Sequence, residues 1–315
     1  MTIAQAQSLR HTLELFRAHN HLHLVEREVD AKFELGSVLS LRGKGQTQLF
    51  EQIKGYAMPV VGNLLNTHEK MALALGVSKT QLQSTLMQAV EHGIAPEVVS
   101  DGPAQEVIHL DADRDIDIPA LLPVPHWFER EAAPYITAGV ITAKDRDTGR
   151  RNVSIARLRV EGGNLLMAGI APTHHLAELG RRAFAKGQPL EIAICIGNHP
   201  AVLLASQMYV ELGHDEFDVA GALLGQPLRL AKGKTVNLEV PAEAEDFLQN
   251  NESQRAMGRG EAFGNLTDVA QLRSRMLRPT TTLTTLLRRR SSVCTRPAIT
   301  NQGLRVGTLS KNPGL

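Results

Sequence analysis

The chain has 315 residues, 43% of them hydrophobic and 21% charged, with a formal net charge of +1. That length can bury a substantial core, and the near-neutral balance gives no general reason to expect nucleic acid or an anionic membrane as partner. Two cysteines make no disulfide framework, the N-terminus lacks the apolar core of a signal peptide, and no apolar run is long enough to span a bilayer, so a cytoplasmic, reduced protein is expected.

Leu9, Leu13 and Phe16 recur at helical spacing, which predicts a first helix from Ala4 to Ala18. His19, His21 and His23 share one face of a strand that continues through Val29; without a carboxylate at matching spacing, a solvated face outweighs a metal site. Phe33 to Leu41 predicts a short helix, and apolar runs follow at Gln48 to Ile53 and Met58 to Leu65. Thr67 to Leu75 reads as helical. Ser78 and Gln81 form a capping box for the next helix, whose stripe is Leu82, Leu86 and Val90 and whose stop is Gly93. Strands alternating with helices predict an α/β layer over residues 1–120. Its last pieces are a strand from Val107 to Leu110 and a solvated turn at Asp111 to Asp117, which lacks the Gly and Glu of an EF-hand loop.

The proline-stiffened LPVPHW, Leu122 to Trp127, reads as the crossing between two domains. Tyr135 to Thr142 and Asn152 to Val160 predict a hairpin, with Asn152, Ser154 and Arg157 as a polar strip on the second strand. That strip fits an exposed face or a site. Asn152 and Arg157 fall on opposite faces of an ideal strand, so both serve one site only if the strand bends or a long ligand reaches both. Further strands are expected at Leu165 to Ile170, Leu190 to Ile196, Leu228 to Leu230 and Val236 to Val240, and helices at His174 to Lys186, Pro200 to Ser206 and Asp215 to Leu224. Hairpins with interspersed helices predict a barrel-like second domain over residues 121–245. No dinucleotide fingerprint, P-loop, nucleophile elbow, HExxH or CxxC is present, so any chemistry must come from residues of separate elements.

Several stretches together resemble the UbiD family of decarboxylases: FELGSVL, GYAMPVVGNLL, LPVPHW, PYITAGV, RNVSIARLRV, the region ending APTHH, GNHPAVLLAS, DEFDVAGALLG and VNLEVPAEAE. They span most of residues 10 to 245 in the family's order. The resemblance implies an N-terminal α/β layer, a split-β-barrel flavin-binding domain and prenylated FMN as cofactor, supplied by a flavin prenyltransferase. It implies a divalent ion, Mn²⁺ or Mg²⁺, held by Asn152, His174 and Glu216 and bridging to the cofactor phosphate. An amide oxygen, an imidazole and a carboxylate suit such an ion. By the same likeness Thr137, Ser154, Ile155, Ala156, Arg157, Thr173, His174 and Met208 line the cofactor, and backbone oxygens near Ala205 and Ser206 hold K⁺. Arg157 matches the arginine of a Glu-Arg-Glu trio, where a guanidinium fork suits a substrate carboxylate. The implied reaction is reversible loss of CO₂ from an aromatic or α,β-unsaturated acid, in a homo-oligomer.

The glutamates of that trio belong in a stretch resembling EGPFGE, and this chain has GEAFGN, Gly260 to Asn265. An amide has no titratable proton, so Asn265 cannot be the general acid; Glu261, one position late, is the candidate that remains. Beyond Glu261 stand nine Lys or Arg against one acid, Asp268, and one aromatic, Phe263. This predicts an aberrant tail over residues 246–315, a frameshift near Gly264 and loss of the family's C-terminal dimerisation region. The rival reading of the tail is a basic arm centred on Arg288 to Arg290 that binds nucleic acid or anionic lipid, though the stacking aromatics of single-strand binders are missing. A flavin- and metal-binding remnant without activity is the other alternative.

Overall fold

The structure, a computed structural model, describes residues 7–43, 45–100, 102–105, 107–109, 116–212, 214–250, 254–256, 268–273 and 275–278. The first layer runs α1 (Leu9–Ala18), β1 (Leu22–Val25), α2 (Glu34–Arg42), β2 (Thr47–Phe50), β3 (Val60–Gly62), α3 (His68–Ala74) and α4 (Leu82–Glu91). β2 pairs in parallel with β1 and antiparallel with β3. The expected strand from His19 to Val29 shrinks to β1 because α1 holds the chain to Ala18 and Asn20 turns it at φ 58°. The capping box forms as the sequence predicts: Gln81 N donates to Ser78 Oγ at 3.3 Å, and Ser78 N to Gln81 Oε1 at 3.2 Å. A buried Lys70 pins this layer, its Nζ donating to the carbonyls of Gly45 and Asn63 and to Thr47 Oγ1; burial pulls its pKa down to about 8.

Next come β4 (Glu97–Val99), β5 (Val107–His109), α5 (Ile118–Leu121), β6 (Tyr135–Ile136), β7 (Val140–Lys144), β8 (Arg151–Ile155), β9 (Leu158–Gly162), β10 (Leu165–Ile170) and α6 (His175–Ala185). The chain then forms β11 (Ile192–Ile196), α7 (Pro200–Ala205), α8 (Glu216–Leu224), β12 (Arg229–Lys232), β13 (Glu239–Pro241), β14 (Asp246–Asn250), β15 (Gln254–Ala256), β16 (Asp268–Arg273) and β17 (Arg275–Arg278). They build a sheet of order β5-β17-β14-β11-β7-β8, another of order β15-β16-β10-β9-β6, and a small one, β13-β12-β4. The architecture is α/β with several sheets, and no closed barrel forms among the described residues. Two positions differ from the sequence expectation. β4 and β5, grouped by sequence with the first layer, pair with β12 and β17 of the second half. The chain also stays in the fold past residue 245: β14 pairs with β11, Leu248 is buried, and the buried Gln249 accepts from the backbone N–H groups of Lys234 and Thr235. Both corrections share a cause, since the partner strand lies far away in sequence and no local period announces it. Glu261, Asn265 and Arg288 to Arg290 lie outside the described residues, as do Asp111 and Asp113 of the acidic turn.

The predicted hairpin is where the two large sheets meet. Its outer parts pair as β7 with β8 in the six-stranded sheet, and its inner parts as β6 with β9 in the five-stranded one. Both strands therefore break, at 137–139 and at 156–157, as strands do when they switch sheets at a corner. Gly139 belongs to that bend: a Cβ there would meet Ile194 Cγ2 at 2.9 Å. One core fills the space between the sheets and α6, through Ile141, Leu158, Leu166, Leu176 and Ile194. A second joins Val140 and Val153 to Val202 of α7 and Phe217 and Leu223 of α8.

Helix α8 is docked through a glycine. A Cβ at Gly221 would stand 2.4 Å from the Ile94 carbonyl oxygen, a backbone atom that cannot rotate away. Gly221→Ala should therefore destabilise the protein by about 1–3 kcal/mol, read as a lower urea midpoint with an unchanged slope.

Candidate cofactor and metal site

Among the described residues β8 is the edge strand of its sheet, with no strand there to receive its outward N–H groups. The Glu216 carboxylate, at the first residue of α8, takes that place. Val153 N donates to Glu216 Oε2 at 2.8 Å, and Asn152 Nδ2 donates to Oε1 at 2.9 Å. Glu216 is 3% exposed and Asn152 4%. Burial pushes the Glu216 carboxyl up to about 7, against the lowering pull of the Val153 N–H; the neighbouring Asp215 raises it further, and the Asn152 amide lowers it. Asn152 Oδ1 is buried with no hydrogen-bond partner. A carboxylate and an amide oxygen, both dry and short of positive charge, form the donor set a hard divalent cation satisfies. Among the described residues no three His, Cys, Asp or Glu side chains gather into a metal-holding group, and the Asn152 oxygen is the donor that stands beside Glu216.

His174 opens α6 as its N-cap residue, with an extended backbone, no side-chain capping bond and an exposed side chain. α6 packs against β7 and β8, and Ala143, the cross-strand partner of Asn152, lies in the core that α6 covers. Asn152 and Glu216 are joined directly; His174 belongs to the helix on the same strand.

Thr137, Ala156 and Arg157 stand at the corner. Thr137 is exposed in the first break, and Ala156 (buried) and Arg157 (exposed) occupy the second, between half-buried Ile155 and buried Leu158. The break answers the question of faces left open by alternation: β8 ends before Arg157, so the ideal-strand argument does not apply to it. The Arg157 guanidinium lies 4.8 Å from the centroid of the Tyr135 ring, which orients the cation. Ser154 is half-buried on β8, Thr173 is exposed in the turn before α6, and Met208 packs beside α7. Ser206 Oγ donates to the Leu203 carbonyl at 2.9 Å, and the Ala205 carbonyl accepts from Met208 N.

Sequence reasoning did not find two features. A cavity of about 850 Å³ lies between the first layer and the corner, with Val61, Val124, Trp127, Tyr135, Thr137 and Ile196 on its wall. Arg10 and Glu245, ion-paired at 2.6 Å, form a charged part of that wall. Arg151 links β8 to Asp215 and Glu239. Neither left a sequence signal, because the contacts join segments tens to hundreds of residues apart.

The raised Glu216 pKa has a consequence for the metal-free protein. A carboxyl whose folded pKa exceeds the unfolded value contributes stability that is full below about pH 4.5 and lost as pH rises through about 7. Urea midpoints of metal-free protein should fall across that window by an amount on the order of 3 kcal/mol, and Glu216→Gln should remove this component.

Comparison with known proteins sets the site in context. The family model described as 3-octaprenyl-4-hydroxybenzoate carboxy-lyase Rift-related domain matches residues 97–300, and the corresponding N-terminal domain matches 13–90. The first span runs past Glu261, where the likeness read from sequence ends. The anhydromevalonate phosphate decarboxylase of Methanothermobacter thermautotrophicus is 35% identical over 248 residues, covering 78% of this chain and 56% of that protein. An evolved dimeric form of HmfF, a UbiD-class enzyme from Pelotomaculum thermopropionicum, in complex with prFMN, superposes with a TM-score of 0.79 at 36% identity, over 90% of this chain and 70% of that one. The 3,4-dihydroxybenzoic acid decarboxylase of Enterobacter cloacae, in its apo form, gives 0.78 at 26% identity, over 87% and 63%. The chain spans about half the length of the curated relatives it matches. With both family domains matched in order over most of its length, the chain belongs to the UbiD family.

Proposed function

We propose that this chain carries the cofactor- and carboxylate-binding half of a prenylated-FMN-dependent (de)carboxylase acting reversibly on an aromatic or α,β-unsaturated acid. The observation that carries the reading is the buried Glu216–Asn152 pair with its unpartnered amide oxygen. Asn152, His174 and Glu216 would hold Mn²⁺ or Mg²⁺ and through it the cofactor phosphate, an anion costly to bring into a partly dry cleft without a counter-ion. Thr137, Ser154, Ile155, Ala156, Thr173 and Met208 would line the flavin in a split-barrel unit, with K⁺ near Ala205 and Ser206. A flavin prenyltransferase would supply the cofactor. When bound, prenylated FMN supplies an electron sink for the pair released as CO₂ leaves.

The chain's own residues orient and neutralise. Arg157, stacked on Tyr135 at the corner, presents a planar fork to a substrate carboxylate and fixes which bond faces the cofactor. The largely apolar cavity that Thr137 lines takes the body of the acid. Protonation of the carbon left behind needs an acid, and Glu261 is the residue of this chain proposed for it. The sequence GEAFGN favours one second reading, a protein that binds flavin and metal without turnover, because Asn265 cannot donate that proton.

Reconstitution with prenylated FMN and Mn²⁺, followed by flavin absorbance and CO₂ release from a panel of aromatic and α,β-unsaturated acids, separates the two. Both signals together support the decarboxylase, absorbance alone the second reading, and neither signal overturns both. Arg157→Ala should keep the absorbance and lower kcat/KM by about 10- to 100-fold, the worth of a charge-assisted contact.

A further inference from the structure

We propose that Arg151 and Asp215 form a positioning strap that sets the distance between Asn152 and Glu216 before any ion arrives. The inference rests on the metal reading above and adds two residues to it, neither of them a ligand. Three successive residues of β8 grip two successive residues at the start of α8. Arg151 Nη1 donates to Asp215 Oδ2 at 2.8 Å, Asn152 Nδ2 to Glu216 Oε1 at 2.9 Å, and Val153 N to Glu216 Oε2 at 2.8 Å. Asp215 uses its other oxygen, Oδ1, to cap the helix by accepting from Phe217 N at 2.9 Å. The residue that caps the start of the helix therefore also ties it to the strand.

Arg151 is itself held firmly. Its Nη2 donates to Glu239 Oε2 at 2.9 Å, and the same oxygen accepts from Lys144 Nζ, on the cross-strand neighbour of Arg151. The guanidinium lies 5.1 Å from the centroid of the Phe217 ring, and the side chain is 12% exposed. A planar fork anchored on two carboxylates and one ring has little freedom left, so it transmits a fixed spacing from β8 and β13 to the start of α8. That spacing decides whether the Asn152 and Glu216 oxygens face one ion. Residues that orient the ligands of a metal commonly matter to its affinity by about 10- to 100-fold.

A simple electrostatic role makes the opposite prediction for one of the two residues, which makes the strap testable. If Arg151 acted only as a charge, its removal would tighten binding of a cation, whereas removal of Asp215 would weaken it. The strap requires both removals to weaken binding, and the pair to be non-additive because each breaks the same link. Mn²⁺ alone is titrated into the full chain and free Mn²⁺ followed by electron paramagnetic resonance, for the wild type, Arg151→Met, Asp215→Asn, the double variant and Glu216→Gln. Asn is a good helix cap, so Asp215→Asn keeps the Phe217 bond and tests the link even if Arg151→Met unfolds. Urea midpoints identify such a case.

The expected result is a loss of about 10-fold or more in Mn²⁺ affinity for each single variant, with the double variant no weaker than the worse single one. Arg151→Met binding as tightly as the wild type or tighter, or Asp215→Asn within about twofold of it, overturns the strap while Glu216→Gln still abolishes binding. If the wild type takes up no Mn²⁺, or Glu216→Gln binds it equally well, the metal reading itself falls and the strap with it.

Discussion

A carboxylate almost closed off from water holds the second half of the molecule in register. Glu216 replaces a missing strand at the edge of the six-stranded sheet, accepting from the Val153 N–H and from the Asn152 amide. An edge strand left bare would invite pairing with another chain. Covering it with a helix start solves that problem and also brings a carboxylate to the strand that carries Asn152. The cost of this contact is visible in a carboxyl pushed up to about 7 by burial.

The corner between the two large sheets is the second constraint. A hairpin that stayed in one sheet would bury Thr137 and Arg157 in a ladder. Because both strands break and cross over, these residues stand at the junction, Arg157 against the Tyr135 ring and Thr137 on the cavity wall. The cavity's far side is built by β3 of the first layer, which supplies Val61, and by the LPVPHW segment, which supplies Val124 and Trp127. The first layer is in this way part of the proposed site and not only a platform for it.

The helix start that carries Glu216 depends on groups from four segments. Asp215 caps it, Arg151 and Phe217 flank it, Glu239 and Lys144 hold Arg151, and Gly221 lets the helix lie against the Ile94 carbonyl. Asp215, Arg151, Glu239 and Lys144 are charged and Gly221 is sterically exacting, so generic apolar packing does not stand in for them. Networks of this kind specify one arrangement where a purely apolar interface would accept several.

Local chemistry made much of this protein readable in advance. The capping box at Ser78 and Gln81, the strand from Leu165 to Ile170 and the helix ended by Gly225 follow from short-range sterics and hydrogen bonding, which the sequence carries within a few residues. The family resemblance put forward Asn152, His174 and Glu216 as a set, and of these the fold joins Asn152 to Glu216 directly. Tertiary structure alone decided the rest: which strand pairs with β4 and β5, that β14 continues the sheet past residue 245, that the hairpin breaks at 137–139 and 156–157, and that Arg151 reaches Asp215 and Glu239. Those outcomes depend on contacts between residues far apart in the chain, where the choice of partner is made by the closing of a common core and not by any local period.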